Sequence, residues 1–141
     1  MVWIQKEIEL ARRPRGFHIV TDEILAHVPE LEGLQVGICQ LFIKHTSASL
    51  ALNENADPSV RVDMERHFSD HLAPEEQVYY THTLEGSDDM PAHLKNVIIG
   101  SSLTVPISVG RLNLGVWQGI YLCEHRNFAD NRNVVITLNG E

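Results

Sequence analysis

Residues 34–45, LQVGICQLFIKH, carry the strongest strand signal in the chain and set its fold class. Successive side chains alternate across a pleated strand. Leu41, Ile43 and His45 therefore share one face, and His45 emerges from that apolar face at the strand terminus, rigidly mounted at the rim of a core. Upstream, residues 2–11 alternate as well. Val2, Ile4, Ile8 and Leu10 point one way, with a lapse at Lys6, and Trp3, Gln5, Glu7 and Glu9 point the other, the pattern of a half-buried strand. Arg12-Arg13-Pro14-Arg15-Gly16 reads as a turn and residues 17–20 as a short strand. Thr21 can cap a short helix to about His27, with Asp22 and Glu23 in its first turn. Downstream, Asp57 as N-cap and Pro58 at N1 open the clearest helix. Val60, Met64, Phe68 and Leu72 form its apolar stripe, and Pro74 stops it. Another helix starts near Asp88-Asp89, tolerates Pro91 in its first turn and ends at Gly100. Strands follow near 102–109, 112–126 and 133–138. Strands without regular helical crossovers predict antiparallel pairing. The expected fold is α+β: one compact domain over residues 1–141, mainly an antiparallel β-sandwich with two or three short helices.

Composition bounds the function. The chain has 141 residues, 43% apolar and 21% charged, enough for a core without disulfide or metal staples. Its 11 Lys and Arg against 19 Asp and Glu leave a formal charge of −8. That speaks against nucleic-acid or anionic-membrane partners, which need a basic face, and leaves room for a local anion site. Cys39 and Cys123 lie far apart in apolar runs without a CxxC pattern, so two buried free thiols are expected. The start, MVWIQKEIEL, lacks the pattern of a secretory leader, and no apolar run is long enough to span a bilayer. A cytoplasmic protein is expected.

The chemistry concentrates in a few segments. The densest, residues 82–93, places His82, Glu85, Asp88, Asp89 and His93 around a turn at Gly86. Imidazoles and carboxylates are the usual ligands of zinc, and carboxylates suit magnesium. His93, expected in the first turn of its helix, would also sit near free backbone N–H groups that favour anions. The plainer reading makes the aspartates caps and the histidines ordinary surface or core groups; no HExxH spacing is present. His45 lies near Ser47 and Ser49, but hydroxyls that cap a turn or hold a phosphate are better readings than a nucleophile, since no GxSxG elbow exists. His67 and His71, four apart with Asp63 four before, read as a wet helix edge rather than a ligand set. In residues 112–126, Gln118, Glu124 and Arg126 share a parity, with a plain cross-strand pair of Glu124 and Arg126 as one reading, while Trp117, flanked by Gly115 and Gly119, either packs in a core or subunit interface or leaves room for another backbone or a flat ligand. Arg111 is a candidate phosphate fork. No GxGxxG, P-loop or EF-hand loop occurs.

In order and spacing, HTSASLALNEN, DPSVRVDMERH, EGSDDMPAHLK and GRLNLGVWQGIYLCEHR resemble the YjbQ-like family of secondary thiamine-phosphate synthases, with a likeness running from about residue 3 to residue 141. The resemblance implies a small α+β unit built on a β-sandwich and assembled as a homotrimer. It also implies a transferase that joins an aminopyrimidine diphosphate to a thiazole phosphate, releasing pyrophosphate, as a secondary activity in thiamine biosynthesis. A divalent metal, Mg or Zn, on His45, His82, His93 and Asp89 follows from it. The expected catalytic set is His45, Glu85, His93 and Arg126. Ser47, Asn53, Arg111, Trp117, Gln118 and Glu124 are expected around a small phosphorylated substrate. Metal-dependent hydrolysis of such a molecule and non-catalytic metabolite binding are the alternatives.

Overall fold

The computed structural model describes residues 1–141. Eight strands, β1 (Val2–Leu10), β2 (Gly16–Ile19), β3 (Val36–Ile43), β4 (Ala48–Glu54), β5 (Ser102–Ser108), β6 (Arg111–Leu112), β7 (Gln118–Glu124) and β8 (Arg132–Gly140), form two antiparallel sheets. One has the order β1-β8-β3-β5-β6 and the other β2-β7-β4. Helices α1 (Thr21–His27), α2 (Pro58–His67) and α3 (Asp89–Ile99) complete the chain, with a 3-10 turn over Pro29–Gly33 and a π turn over Phe68–Leu72. The α+β sandwich expected from the sequence is thus present.

Alternation builds the layers. Cys39, Leu41 and Ile43 of β3 and Val134, Ile136 and Leu138 of β8 face Leu50, Ile120 and Leu122 of the smaller sheet, in a buried cluster of 18 residues. The opposite face of the smaller sheet is also covered. Phe17, Tyr121 and Cys123 pack there with Met64 and Phe68 from α2 and the π turn, and with Ile99 of α3. The molecule therefore has three layers: large sheet, small sheet, helices. Both cysteines are free and buried, as expected, and burial pushes the Cys39 thiol up to about 11.

Several sequence expectations shift. Residues 48–54, unassigned above, form β4, pairing with β7 from Ala48↔Glu124 to Glu54↔Gln118. The expected strand over 112–126 splits into β6, a turn at 113–117 and β7. Asp57 caps α2 as expected, accepting from the Ser59 amide at 2.9 Å, but the expected apolar stripe contributes no fully buried residue, and α2 passes into the π turn rather than running to Leu72. Thr21 opens α1 without capping it; its hydroxyl accepts from the Ile120 amide at 2.9 Å. No helix is long and apolar enough to cross a membrane.

Where β3 meets the end of β8, Gly37 pairs with Gly140. A Cβ on Gly37 would stand 2.4 Å from the Asn139 carbonyl oxygen and 2.9 Å from the Gly140 Cα, closer than atoms can approach. Gly37→Ala must therefore spread these strands. We expect a loss of about 1–3 kcal/mol, seen as a lower urea midpoint at unchanged m-value; a wild-type midpoint would show that the strands are not pinched there.

Candidate metal centre

Residues 73–88 form a long connection without helix or strand, a length that is usual for functional loops. Its folds are pinned locally. Tyr80 donates its hydroxyl to the Pro74 carbonyl at 2.8 Å, and Ser87 donates to Glu75 at 3.0 Å. Gly86, at φ 103°, makes the turn that carries His82 back over the start of α3. There it meets Asp89 and His93.

His82 Nε2 lies 2.6 Å and His93 Nε2 3.0 Å from the same oxygen, Oδ2 of Asp89. One ligand atom from each residue falls within 4.8 Å of the others. Asp89 is 2% exposed, whereas His82 is 42% and His93 31% exposed, so the cluster is anchored below and reachable from above. A cavity of about 230 Å³ adjoins it, lined by Tyr80, His82, Thr83, Ser87 and Met90 among others. His93 is in the second turn of α3, not the first, and Asp88 does not cap the helix with its side chain. Asp88 instead accepts from the Asn127 amide at 2.8 Å and from Arg126 Nε at 2.9 Å. Burial pushes the Asp88 and Asp89 carboxyls up. Asn127 and Arg126 at Asp88, and His82, His93 and Arg126 at Asp89, outweigh it and hold both below the ordinary carboxylate range.

The tautomer of His93 is fixed by its surroundings. Its Nδ1 is 2.8 Å from the Thr46 carbonyl, an acceptor only, so Nδ1 carries the hydrogen. Nε2 of a neutral His93 then presents a lone pair toward Asp89 Oδ2, two acceptors facing each other. A proton or a cation must lie between them. A backbone carbonyl holding the far nitrogen is the usual outer support of a metal-bound histidine, and the donor set of two imidazoles and one carboxylate fits a zinc-class ion.

The remaining expected residues divide. Glu85 is 66% exposed and reaches 3.7 Å from His82, while its carbonyl accepts from Arg126 at 3.0 Å. Arg126 faces the cluster, bonded to Asp88 and Asp89. His45 stands outside it. Its Nε2 accepts from the Asn133 amide at 2.7 Å, and the Arg132 guanidinium stands 3.3 Å from its Nδ1. Burial and that neighbouring positive charge push its pKa down. His45 is therefore not brought into the cluster of His82, Asp89 and His93 expected to share a metal with it; its Nε2 lone pair is turned to the Asn133 amide. Glu124, expected to bind substrate, is fully buried and paired with Arg132, and Ser47 accepts from Arg132 at 3.1 Å. Asn53 and Gln118 sit at the other end of the small sheet, next to Trp117. Six strand steps put them about 20 Å from Glu124. Arg111 is on β6, at the edge of the large sheet. Within one chain, these four do not join the cluster.

Fold and cluster define a class: two-sheet α+β proteins with a histidine–carboxylate cluster beside the end of the small sheet. The chain belongs to the YjbQ/UPF0047 family, since residues 6–141 match the family described as UPF0047 protein YjbQ-like. It is 49% identical over 140 residues to the UPF0047 protein YjbQ of Salmonella typhimurium, covering 99% of this chain and 100% of that one. A UPF0047 protein of Synechocystis is 41% identical over 137 residues, covering 97% and 92%. Among solved structures, a conserved hypothetical protein from Thermus thermophilus superposes with a TM-score of 0.79 at 32% identity, covering 92% and 97%. A YbjQ-like protein of unknown function from Sulfolobus solfataricus shares the fold, at TM-score 0.84 and 24% identity over 99% of both chains. These descriptions overturn the expected thiamine-phosphate synthase activity. The relatives are named only as UPF0047 proteins, and the family match carries no transferase function. The resemblance identified the family and not a reaction.

One group in an informative segment was given no role from the sequence. His125, 1% exposed, places Nε2 2.9 Å from the Ser49 hydroxyl, itself fully buried, and leaves Nδ1 without a partner. The spacing is that of a nucleophile and its base, but neither group is reachable. Burial, with Lys95 and Arg132 nearby, pushes the histidine down to about 3. Below its ordinary value near 6.5 the unfolded chain takes up a proton that the folded chain refuses, until the pH reaches the folded value. This contribution is complete above pH 6.5 and lost as the pH falls toward 3. We expect a stability decline of about 1.4 kcal/mol per pH unit in that window, absent from His125→Asn in urea melts from pH 7 to 4. Parallel profiles for the two proteins would contradict a neutral buried imidazole.

Proposed function

We propose that this chain is a mononuclear metalloprotein, with a zinc-class divalent ion held by His82, Asp89 and His93. The observation that carries the reading is the His93 ring, whose Nδ1–H is spent on the Thr46 carbonyl while Nε2 points at a carboxylate oxygen. Two nitrogens and one oxygen favour zinc-class ions over magnesium, which takes oxygen ligands and keeps several waters. Three protein ligands leave a position open, as in catalytic rather than structural sites. When bound, such an ion supplies Lewis acidity to an oxygen of a small molecule entering beside His82. Nearby Arg126 and Arg132 are already matched to Asp88, Asp89 and Glu124, so a phosphorylated or carboxylated solute would meet its compensating charge chiefly in the ion. Any catalysis would be lost with the metal. The outward face of the large sheet exposes Trp3, Ile38 and Phe42, which supports its burial against further copies of the chain, in the trimer that the resemblance implies.

Protein stripped with a chelator and titrated with Co²⁺ should take up one ion per chain with a dissociation constant below about 1 μM, with a d–d spectrum of low coordination number. Mg²⁺ at millimolar concentration should not compete. Asp89→Asn and His82→Ala should each weaken uptake at least 100-fold. If the wild-type protein takes up no stoichiometric ion, or these variants bind as it does, the proposal is wrong.

A further inference from the structure

We infer that Arg132 and Glu124 are positioning residues for the His82–Asp89–His93 cluster, setting its geometry without touching it. The inference rests on the metal-centre reading and extends it to groups that no ligand pattern identifies.

Glu124 is at the end of β7 and Arg132 at the start of β8; the two strands belong to different sheets. Both side chains are nearly or wholly buried. Arg132 Nε donates to Glu124 Oε1 at 2.7 Å, and its terminal nitrogen donates to Oε2. This fork ties the two sheets together where the sandwich opens toward the cluster. Each partner has one further set of bonds, and these lead to opposite sides of the site.

From Arg132, the terminal nitrogen also donates to the Ser47 carbonyl at 3.2 Å and the Ser47 hydroxyl at 3.1 Å. The next residue, Asn133, gives its amide to His45 at 2.7 Å. Together these fix residues 45–47, and the Thr46 carbonyl between them holds His93 Nδ1 at 2.8 Å. From Glu124, Oε2 accepts the Arg126 amide at 3.2 Å. That sets where the Arg126 side chain leaves the strand, and its guanidinium binds Asp89 Oδ1 on the side away from the histidines, with Asp88 beside it. One buried pair thus governs the outer support of a histidine ligand and that of the carboxylate ligand. Arg132 supplies a fork because it must reach Glu124 and Ser47 at once; a lysine point charge cannot.

The alternative is that the pair only closes the sandwich, so its loss would lower stability and nothing else. Apparent Co²⁺ dissociation constants and apoprotein melting temperatures separate the two for wild type, Glu124→Gln, Arg132→Lys and the core control Ile136→Val. We expect 10–100-fold weaker binding in the first two variants and wild-type affinity in the control despite its lower melting temperature. Ser47→Ala, which keeps the ion pair and deletes one Arg132 acceptor, serves if the charge variants do not fold; binding weaker by threefold or more is expected. Independently of any metal, the His93 Nδ1–H proton should be seen by NMR in the apoprotein and be lost to exchange in Glu124→Gln. Affinities within threefold of wild type in every variant, or an unchanged proton signal, would overturn the inference. A wild-type protein that binds no Co²⁺ would sink the metal centre itself, while the proton signal would still decide whether the pair positions His93.

Discussion

The arrangement turns on one constraint: β7 is buried on both faces. Toward the large sheet it presents Ile120, Leu122 and Glu124, and toward the helices Tyr121 and Cys123, with His125 buried just beyond its end. A strand in the middle layer of three has no solvent face on which to put polar groups. Where its regular pairing ends, three ionisable residues follow in sequence, and alternation sends them apart. Glu124 turns inward and meets Arg132; His125 turns toward the helices and meets Ser49; Arg126, past the last pair of β7, reaches Asp88 and Asp89. The position of the cluster follows from where the middle strand stops.

Such burial has energetic consequences. Removing Glu124 and Arg132 from water costs several kcal/mol per ion before their attraction is counted, so a buried pair is weak evidence of net stabilisation. Its forked geometry and additional bonds to Ser47 and Arg126 satisfy the groups that burial strips of water. His125 solves the same difficulty differently, by remaining neutral. Lys95, buried in α3, keeps a hydrogen bond to Ser69 at 3.0 Å and has Glu65 at 4.0 Å, while burial pushes its pKa down. An acidic chain has therefore placed two of its 11 basic side chains, Lys95 and Arg132, inside, each against an acceptor.

The sequence revealed what local chemistry controls. The alternation of β3 put Cys39, Leu41 and Ile43 on the inner face, although the strand ends at Ile43, two residues before His45. Asp57-Pro58 marked the start of α2, and the crowding of residues 82–93 marked the cluster. Longer-range facts left no local trace. The lone pair of His45 is taken by an amide 88 residues away, which no spacing rule can anticipate. Strand β4 carries Ser49 and Asn53 among apolar residues and is buried on both sides at its start, so no alternation marks it; Ser49 is matched by His125, just past the end of β7. Gln118 and Glu124 share a parity along β7, yet they stand at its two ends, and Asn53 pairs with Gly119 at the far end. The motifs carried the family, but a shared fold and motif set do not fix a reaction, and the relatives' descriptions removed the one expected.

What remains is the logic of Asp89. One of its oxygens receives both imidazoles and the other receives Arg126. A carboxylate kept only as a helix cap would turn to the backbone amides of α3; this one turns away from them. With His93 Nδ1–H committed to Thr46, something positive must lie between His93 and Asp89. Tetrahedral zinc bonds of about 2.0–2.1 Å place neighbouring ligand atoms about 3.3 Å apart, so the separations of 2.6 and 3.0 Å would have to open by roughly 0.7 and 0.3 Å to admit the proposed ion. On the proposed reading, a cation would take the place of the protons between these donors. Binding at such a site releases protons and weakens in acid, and the bonds from Thr46 and Arg126 hold two of the three donors, His93 and Asp89, while His82 is carried by the loop.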